Sequence, residues 1–304
     1  MRLLARSLVR LATVVVVISI LVFLIVHAIP GDPAVIAAGL EATPETVERI
    51  RRDLGLDRPL PAQFLSFAGR ALAGDLGVSI RTGVPVASEI ASRLPHTAIL
   101  AVGGVLLAIV FGVTAGVVAA IAKRKWVDRI VTSVALVAVS TPSYWLALMG
   151  MLAFALHLAL VPSIGVGTPL HYMLPIAVLG LQSGGQVARM TRAATRETLA
   201  QTYVTAAEAR GVGRWGVLVR HAFTNAALPV IALIGLRVGG LLAGTVLVEA
   251  VFAIPGVGRM MVDAVVARDF PMVQGGVLVV SVMFVTVNVL TDLTAALLDP
   301  RVRV

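Results

Sequence analysis

Cysteine is absent from this chain, and charged and aromatic residues are scarce. The lack of cysteine excludes disulfides, thiolate metal sites and a cysteine nucleophile. Charged residues make up 13% of the 304 residues, whereas soluble domains carry about 25%. The net charge is +9, but aromatic residues contribute only 5% and the charges lie between apolar runs. A membrane-orientation signal therefore explains the basic balance better than nucleic acid binding does.

The motifs of catalytic and metal-binding sites are also missing. The only lysines, Lys123 and Lys125, do not follow a glycine, so the chain has no P-loop and any ATP hydrolysis belongs to a partner. The five histidines have no metal-ligand spacing to one another or to a carboxylate. Neither Ser143 nor Ser183 has the Gly-x-Ser-x-Gly setting of a serine hydrolase. We therefore expect no catalytic residue, no metal site and no cofactor on this chain.

Hydrophobic residues dominate the chain, at 58% with a mean hydropathy of +0.96. Because a helix needs about 20 apolar residues to cross the hydrocarbon core, the pattern predicts an all-α polytopic membrane protein. We place six transmembrane helices at 11–29, 98–122, 130–160, 171–187, 226–249 and 275–298. The first run is longer than the apolar region of a secretory signal and has no small-residue cleavage site. An uncleaved anchor is therefore favoured over a cleaved signal peptide.

Two of these spans contain residues that predict their geometry. The third span has Pro142 in its middle part, and we predict one long helix that is kinked there. The second span contains Gly112 and Gly116, a pair of small residues at a spacing that allows two helices to approach closely.

Basic residues are distributed as expected for a chain with both termini in the cytoplasm. In that orientation the inner segments hold fifteen basic residues against four acidic ones. The polar stretch after the first span is long and nearly charge-balanced, which is compatible with translocation. The predicted organisation is an N-terminal transmembrane helix at 1–30, an extracytoplasmic region at 31–97, and a five-helix core at 98–304 that contains a cytoplasmic loop at about 188–225.

The cytoplasmic loop contains the most informative stretch, Tyr203 to Pro229. Good helix formers at 206–210 precede Gly211 and Gly213, which end the run. The pattern predicts a short helix, a glycine turn and a second helix that re-enters the bilayer at Leu228-Pro229. A short exposed helix with small residues on one side suits insertion into a groove of another protein.

This stretch resembles the EAA coupling loop of ABC importer permeases, and its long spacing from Gly211 to Leu228-Pro229 is similar to that of the dipeptide, oligopeptide and nickel branch. Thr205 stands where the general pattern has its leading glutamate. The resemblance implies that the loop docks into a cleft of a separate ATPase and transmits its ATP-driven closure. The residues implied in this coupling are Thr205, Ala206, Ala207, Glu208, Ala209, Arg210, Gly211, Val212, Gly213 and Arg214.

Further islands of the same resemblance occur in order along nearly the whole chain. They are Gly31-Asp32-Pro33, the segments 54–60, 74–79 and 93–97, Pro142-Ser143-Tyr144-Trp145, Glu249 with 252–259, 268–271, and Asp299-Pro300-Arg301. They imply a permease subunit with type I ABC importer architecture in the bacterial cell (inner) membrane. They also imply its partners: a sister permease in a heterodimer, two ATP-binding subunits that hold ATP and Mg, and an extracytoplasmic solute-binding protein.

The cargo implied by the resemblance is a di- or oligopeptide, with chelated nickel or another small solute as the alternative. The alternative from another class is a secondary carrier driven by an ion gradient. Such a carrier is expected to show inverted repeats or helices broken at matched positions, and no repeat is visible in the sequence.

Two ionisable residues, Arg237 and Asp292, fall inside predicted spans. Because such a residue costs roughly 2.5–3.5 kcal/mol near the bilayer centre, it usually faces a cavity or a partner. Two interpretations stay open: a polar translocation path, with Asn288 one turn from Asp292, or a structural role such as an Arg–Asp pair.

Overall fold

The computed structural model describes residues 2–28, 32–39, 42–53 and 55–298. These residues are mostly helical and contain no β-strand, only an isolated bridge between Val78 and Pro85. The all-α prediction is therefore confirmed. The helices are α1 (Arg2–Ala28), α2 (Pro33–Ala38), α3 (Pro44–Asp53), α4 (Leu60–Leu72), α5 (Val86–Ile121), α6 (Lys125–Ser140), α7 (Ser143–Gly150), α8 (Leu170–Leu199), α9 (Thr202–Ala209), α10 (Arg214–Gly216), α11 (Thr224–Val251), α12 (Val257–Val266) and α13 (Phe270–Leu298).

Within this described part of the chain, three helices are long and apolar enough to cross a membrane. They are α5, α11 and the segment Phe270–Thr291 of α13. A bent pair formed by α6 and Ser143–His157 counts as a fourth if it makes one broken span, and α1 contains a shorter apolar stretch, Val9–Leu24. The membrane character of the chain is confirmed, while six spans and cytoplasmic termini stay predictions.

The prediction of one kinked helix at 130–160 is wrong, because the chain breaks completely at Pro142. Helix α6 ends at Ser140, and the helical segment Ser143–His157 is bent by 108° relative to α6. Proline has no backbone N–H and disfavours the helical conformation in the residue before it. Thr141 is accordingly extended, at φ −86° and ψ 130°. Helix α7 then continues into a π-helical segment, Met151–His157.

Two other helices extend beyond their predicted ends. Helix α5 begins at Val86 rather than at 98 and contains Pro95. Helix α8 continues to Leu199, well past 187. The extension of α8 contains alanine, arginine, threonine and glutamate, and most of these residues are good helix formers. The ends of the apolar runs are therefore not the ends of the helices.

The chain divides into two compact units, and the larger one comprises His96–Ile254 and the described residues from Val287 onward. In this unit α8 packs against both α6 and α11. Its buried core includes Leu100, Leu179, Val248, Phe252 and Ile254.

The glycine pair of α5 makes one of these contacts close. A Cβ added at Gly112 would lie 2.5 Å from the Cβ atom of Val187, and one at Gly116 would lie 2.6 Å from the carbonyl oxygen of Ala188. Both distances are shorter than any non-bonded Cβ contact allows, so only glycine fits. The predicted close approach at this pair is confirmed, and α8 is the partner helix.

The second unit comprises the described residues of Met1–Pro95 and of Pro255–Thr286. Its core contains Val86, Ile90, Val257, Met260, Ala264 and Met272. A second contact joins α1 to α4, where the ring of Phe23 lies 5.5 Å from Phe64 and 6.4 Å from Phe67, centroid to centroid. The carboxylate of Asp269 is buried and accepts hydrogen bonds from the Ser79 hydroxyl and, at 3.2 Å, from the Ile80 backbone N–H.

Gly31, Leu54 and Asp299-Pro300-Arg301, which belong to predicted islands, lie outside the described residues.

Candidate coupling site

Helix α9 contains the first half of the predicted coupling loop and is attached to its unit by two small side chains. It begins after Gln201, whose backbone is extended, and it packs against a π-helical segment, Val217–Phe223. Val204 is 2% exposed and Ala207 is 0% exposed. Since these residues are three positions apart, they lie on one face of the helix. The opposite face of α9 is therefore presented outward.

The turn that follows α9 is closed by its own backbone. The N–H of Val212 donates to the Ala207 carbonyl at 3.2 Å, and the N–H of Gly211 donates to the Glu208 carbonyl at 2.9 Å. This pair of bonds is the Schellman motif, which requires a left-handed residue at the position of Gly211. Gly211 has φ +82°. The glycine turn predicted from the sequence is therefore present, and its geometry explains why a glycine stands there.

The predicted coupling residues form one exposed surface apart from the buried Ala207 and the half-buried Val212. The exposed members are Thr205, Ala206, Glu208, Ala209, Arg210, Gly211 and Gly213, while the side chain of Arg214 lies outside the described residues. Trp215 follows directly and is 74% exposed. Sequence reasoning missed Trp215, although an indole beside a glycine turn in a basic loop is a signal for a protein contact.

The second helical stretch begins directly after the turn. Helix α10 starts at Arg214, the π-helical segment follows, and α11 starts at Thr224. Pro229 lies inside α11 rather than at its start. The tight turn at Gly211 therefore separates two helical stretches, as predicted, and the second stretch continues from Arg214 through Leu228-Pro229. Re-entry into the bilayer at Leu228-Pro229 stays a prediction.

A cluster of one carboxylate and two arginines joins α8 to α6. The Asp128 carboxylate accepts from Nε of Arg192 at 2.5 Å and from its Nη2 at 2.8 Å, and Nη2 of Arg196 lies 3.0 Å away. Nη2 of Arg196 also donates to the Ala119 carbonyl at 3.1 Å. A two-pronged arginine–carboxylate contact fixes geometry as well as charge. The cluster therefore ties the last turns of α8, just before α9, to the last turn of α5 and the first turn of α6.

Among the candidate path residues, Arg237 is exposed on α11 and Asn288 is half-buried on α13. The side chain of Asp292 lies outside the described residues. Helices α11 and α13 touch where a Cβ on Gly235 would lie 1.9 Å from Cγ2 of Thr291. Residues two positions apart on a helix lie on nearly opposite faces. Arg237 therefore lies on the side of α11 away from this contact.

A buried polar pair joins two of the family-like islands. Glu249 is 0% exposed, and the hydroxyl of Thr97 donates to its Oε1 at 2.7 Å. Nearby, Nδ1 of His96 lies 2.6 Å from the Tyr172 hydroxyl, with the two rings stacked. The sequence located both islands but not their contact. In the part of the chain described, no group of three His, Asp or Glu residues could hold a metal ion.

The fold agrees with that of solved ABC transporter chains. The inward-facing MetNI methionine ABC transporter superposes with a TM-score of 0.57 at 14% identity, covering 69% of this chain and 96% of that one. An amino acid ABC transporter with histidines gives a TM-score of 0.53 at 16% identity, covering 70% and 94%. Identities this low establish the fold alone, which this chain shares with these ABC transporter chains.

The family follows from the sequence comparisons. Residues 112–304 match the binding-protein-dependent transport system inner membrane component, and residues 1–101 match the N-terminal part of that component. The chain belongs to this family and is a multi-pass permease subunit of an ATP-driven importer in the bacterial inner membrane. Membership implies ATP-binding subunits and a solute-binding protein as partners.

Curated relatives match the chain almost from end to end. The glutathione transport system permease protein GsiC of Pectobacterium atrosepticum is 41% identical over 298 residues, which are 98% of this chain and 97% of the relative. The protein of the same name from Escherichia coli strain K12 is 38% identical over the same shares.

Proposed function

We propose that this chain is one half of a permease heterodimer that imports short peptides, with glutathione or a similar peptide as cargo. The observation that carries the proposal is the 41% identity across 98% of the chain with a permease named for glutathione transport. A match of this extent includes the outer region and the core together. Chelated nickel and other small solutes are the alternatives that the transport assay below separates.

The proposal includes six spans with both termini in the cytoplasm. Helices α5, α11 and α13 and the broken pair at Pro142 supply four spans, and we assign the remaining two to α1 and α8. Helix α8 has 30 residues, which is about 45 Å. It is long enough to cross the hydrocarbon core and to extend beyond it into the basic segment that contains Arg192 and Arg196.

The coupling site is the outward face of α9 with the Gly211 turn, docked in a cleft of an ATP-binding subunit. Small exposed side chains allow close backbone approach, and Trp215 supplies a large contact area at the edge. The partner subunits bind ATP with Mg and hydrolyse the ATP. The role of this chain is transport, without a catalytic residue or a cofactor of its own.

Helix α9 is placed to transmit motion to two spans at once. It directly follows α8, with Ala200 and Gln201 between them, and it packs on the π-helical segment that leads into α11. Helices α8 and α11 also pack against each other. A push on α9 from a closing ATPase therefore acts on a packed pair of helices rather than on one free loop, which suits a change between two arrangements.

The translocation path includes Arg237, Asn288 and Asp292 in this proposal. The exposure of Arg237 supports it, because a guanidinium inside an apolar helix must face water or a polar partner. The side of α11 that carries Arg237 is directed away from the α13 contact, which leaves it available to a sister permease or to the substrate. A peptide carboxylate is a suitable ligand for an arginine.

The test is purification of the tagged chain from its native membrane, followed by reconstitution of the recovered complex in vesicles. We expect a second permease, ATP-binding subunits and a binding protein to be recovered together. Uptake of labelled glutathione, a dipeptide and chelated nickel is then measured with ATP or with an ion gradient alone. ATP-dependent uptake of the peptides supports the proposal. Uptake of chelated nickel without uptake of the peptides would instead identify chelated nickel as the cargo. Uptake driven by the gradient without ATP overturns the mechanism.

A further inference from the structure

A cavity lined by three arginines lies in the unit that contains α1. Its volume is about 420 Å³, within the usual range of pockets for small ligands, roughly 300–1,000 Å³. Its walls come from the C-terminal end of α1, from α3 and α4 with the loop between them, and from the first turns of α13. The arginines are Arg51, Arg58 and Arg70.

The charge of this cavity is positive. Arg51 is paired with Asp32 and, at 3.2 Å, with Glu48, and the hydrogen bond and charge of Asp32 raise the pKa of Arg51. Among the residues described, Arg58 and Arg70 have no carboxylate within ion-pair distance. Two guanidinium groups in the lining are thus available to an anion.

The wall beside Arg58 is held in place by a hydrogen-bonded glutamine. Nε2 of Gln63 donates to the carbonyl oxygens of Arg58 at 2.8 Å and of Leu56 at 3.3 Å. Oε1 of Gln63 lies 3.0 Å from Nε2 of His27, on α1. These contacts tie the Arg58 backbone to the end of α1.

Apolar surface surrounds the cavity on the side of α1 and α4. The apolar stretch of α1 includes Phe23 and Leu24, and Phe23 packs on the aromatic residues of α4. Helix α4 also exposes Leu65, at 69%, and Leu72, at 92%. An amphipathic helix with exposed leucines beside the end of a membrane anchor is typical of the membrane–water interface.

We propose that this cavity binds the phosphate headgroup of an anionic phospholipid. The guanidinium groups of Arg58 and Arg70 contact the phosphate oxygens, since the arginine fork matches that geometry, and the acyl chains lie along α1 and the exposed leucines of α4. With the proposed orientation of the chain, this phospholipid belongs to the outer leaflet. The choice of a phosphate anion does not depend on that orientation.

The test is native mass spectrometry of the full purified importer with added phosphatidylglycerol, phosphatidylcholine or inorganic phosphate. The variant is Arg58→Gln with Arg70→Gln, and the control is Arg49→Gln, an exposed arginine of α3 that does not line the cavity. We expect the wild type and the control to bind phosphatidylglycerol in preference to phosphatidylcholine. The double variant is expected to bind it at least tenfold more weakly, because two charged hydrogen-bond donors are lost.

Equal phosphatidylglycerol binding by the double variant and the control overturns the proposal. So does saturable binding of inorganic phosphate without lipid, which reassigns the site to the free anion. Weaker binding of the solute-binding protein with unchanged lipid retention also overturns it and indicates a protein-docking surface. If the double variant has a lowered thermal midpoint, each single substitution is measured instead, with a smaller loss expected from each. Lipid retention is measured without transport. A negative result in the peptide-uptake assay therefore does not decide whether the cavity binds lipid.

Discussion

Replacing Gly211 by alanine is expected to reduce the coupling of ATP hydrolysis to uptake without unfolding the protein. Gly211 has φ +82°, and an added Cβ would meet no heavy atom within 4 Å. The cost is therefore conformational, about 1–2 kcal/mol for a side chain in the left-handed region. Because about 1.4 kcal/mol corresponds to a tenfold change, the native turn would lose roughly 5- to 30-fold in population relative to competing turns.

The chain offers matched controls for this experiment. Gly213 is also open to solvent and has no positive φ, so Gly213→Ala adds the same methyl group without the same strain. Gly211→Asn restores a residue that tolerates the left-handed conformation. Gly211→Asp tolerates it as well but places a negative charge on the outward surface, and we expect this variant to remain folded and to lose uptake.

The assay is ATP-driven peptide uptake by the reconstituted importer, with ATP hydrolysis and the thermal unfolding midpoint measured on the same samples. The expected order of uptake is Gly213→Ala highest, Gly211→Asn intermediate, and Gly211→Ala and Gly211→Asp lowest, with similar unfolding midpoints for all four. Normal uptake by Gly211→Asp would refute the assignment of this turn to coupling. Equal losses at both glycines would show that added bulk matters and that backbone conformation does not.

Three further outcomes are expected. Gly112→Ala should lower the free energy of unfolding by about 1–3 kcal/mol, because its Cβ would collide with α8. Gly240→Ala, which has open space, should be neutral or slightly stabilising in the same denaturation assay, and equal effects would contradict the packing argument. Asp128→Asn should lower the free energy of unfolding by about 1–3 kcal/mol, because two arginines lose their carboxylate partner. Glu197 is exposed on the same helix as the arginines, and Glu197→Gln should not change the thermal midpoint. Trp215→Ala should weaken binding of the ATP-binding subunit by at least about 2 kcal/mol in titration of the purified subunit without lowering stability, and unchanged affinity would exclude Trp215 from the interface.

Local features of the fold were predictable from the sequence. The apolar runs predicted helices, the glycine pair of α5 predicted a close helix contact, and the run before Gly211 predicted a helix followed by a turn. Each of these depends on residues within one or two turns of one another, where propensity and spacing are decisive. Pro142 belongs to the same class only in part, since a proline predicts that a helix is disturbed but does not predict a bend of 108°.

Contacts between distant segments were not predictable. The Asp128 cluster joins residues that are 64 positions apart, and the Thr97–Glu249 hydrogen bond joins residues 152 apart. The sequence showed these residues as orientation charges or as members of separate islands. Their partners depend on which helices pack together, and that is a property of the whole unit rather than of any local pattern.

The shape of the turn after α9 does not depend on its exposed side chains. Both bonds that close it run between backbone groups, and the two side chains that anchor α9 are buried on its inner face. The exposed positions of α9 and its turn, apart from Gly211, therefore contribute little to holding the loop in shape. In the proposed docking, substitutions confined to these positions would change which ATP-binding subunit is recognised while the loop keeps its fold, so partner choice and structural integrity could evolve independently.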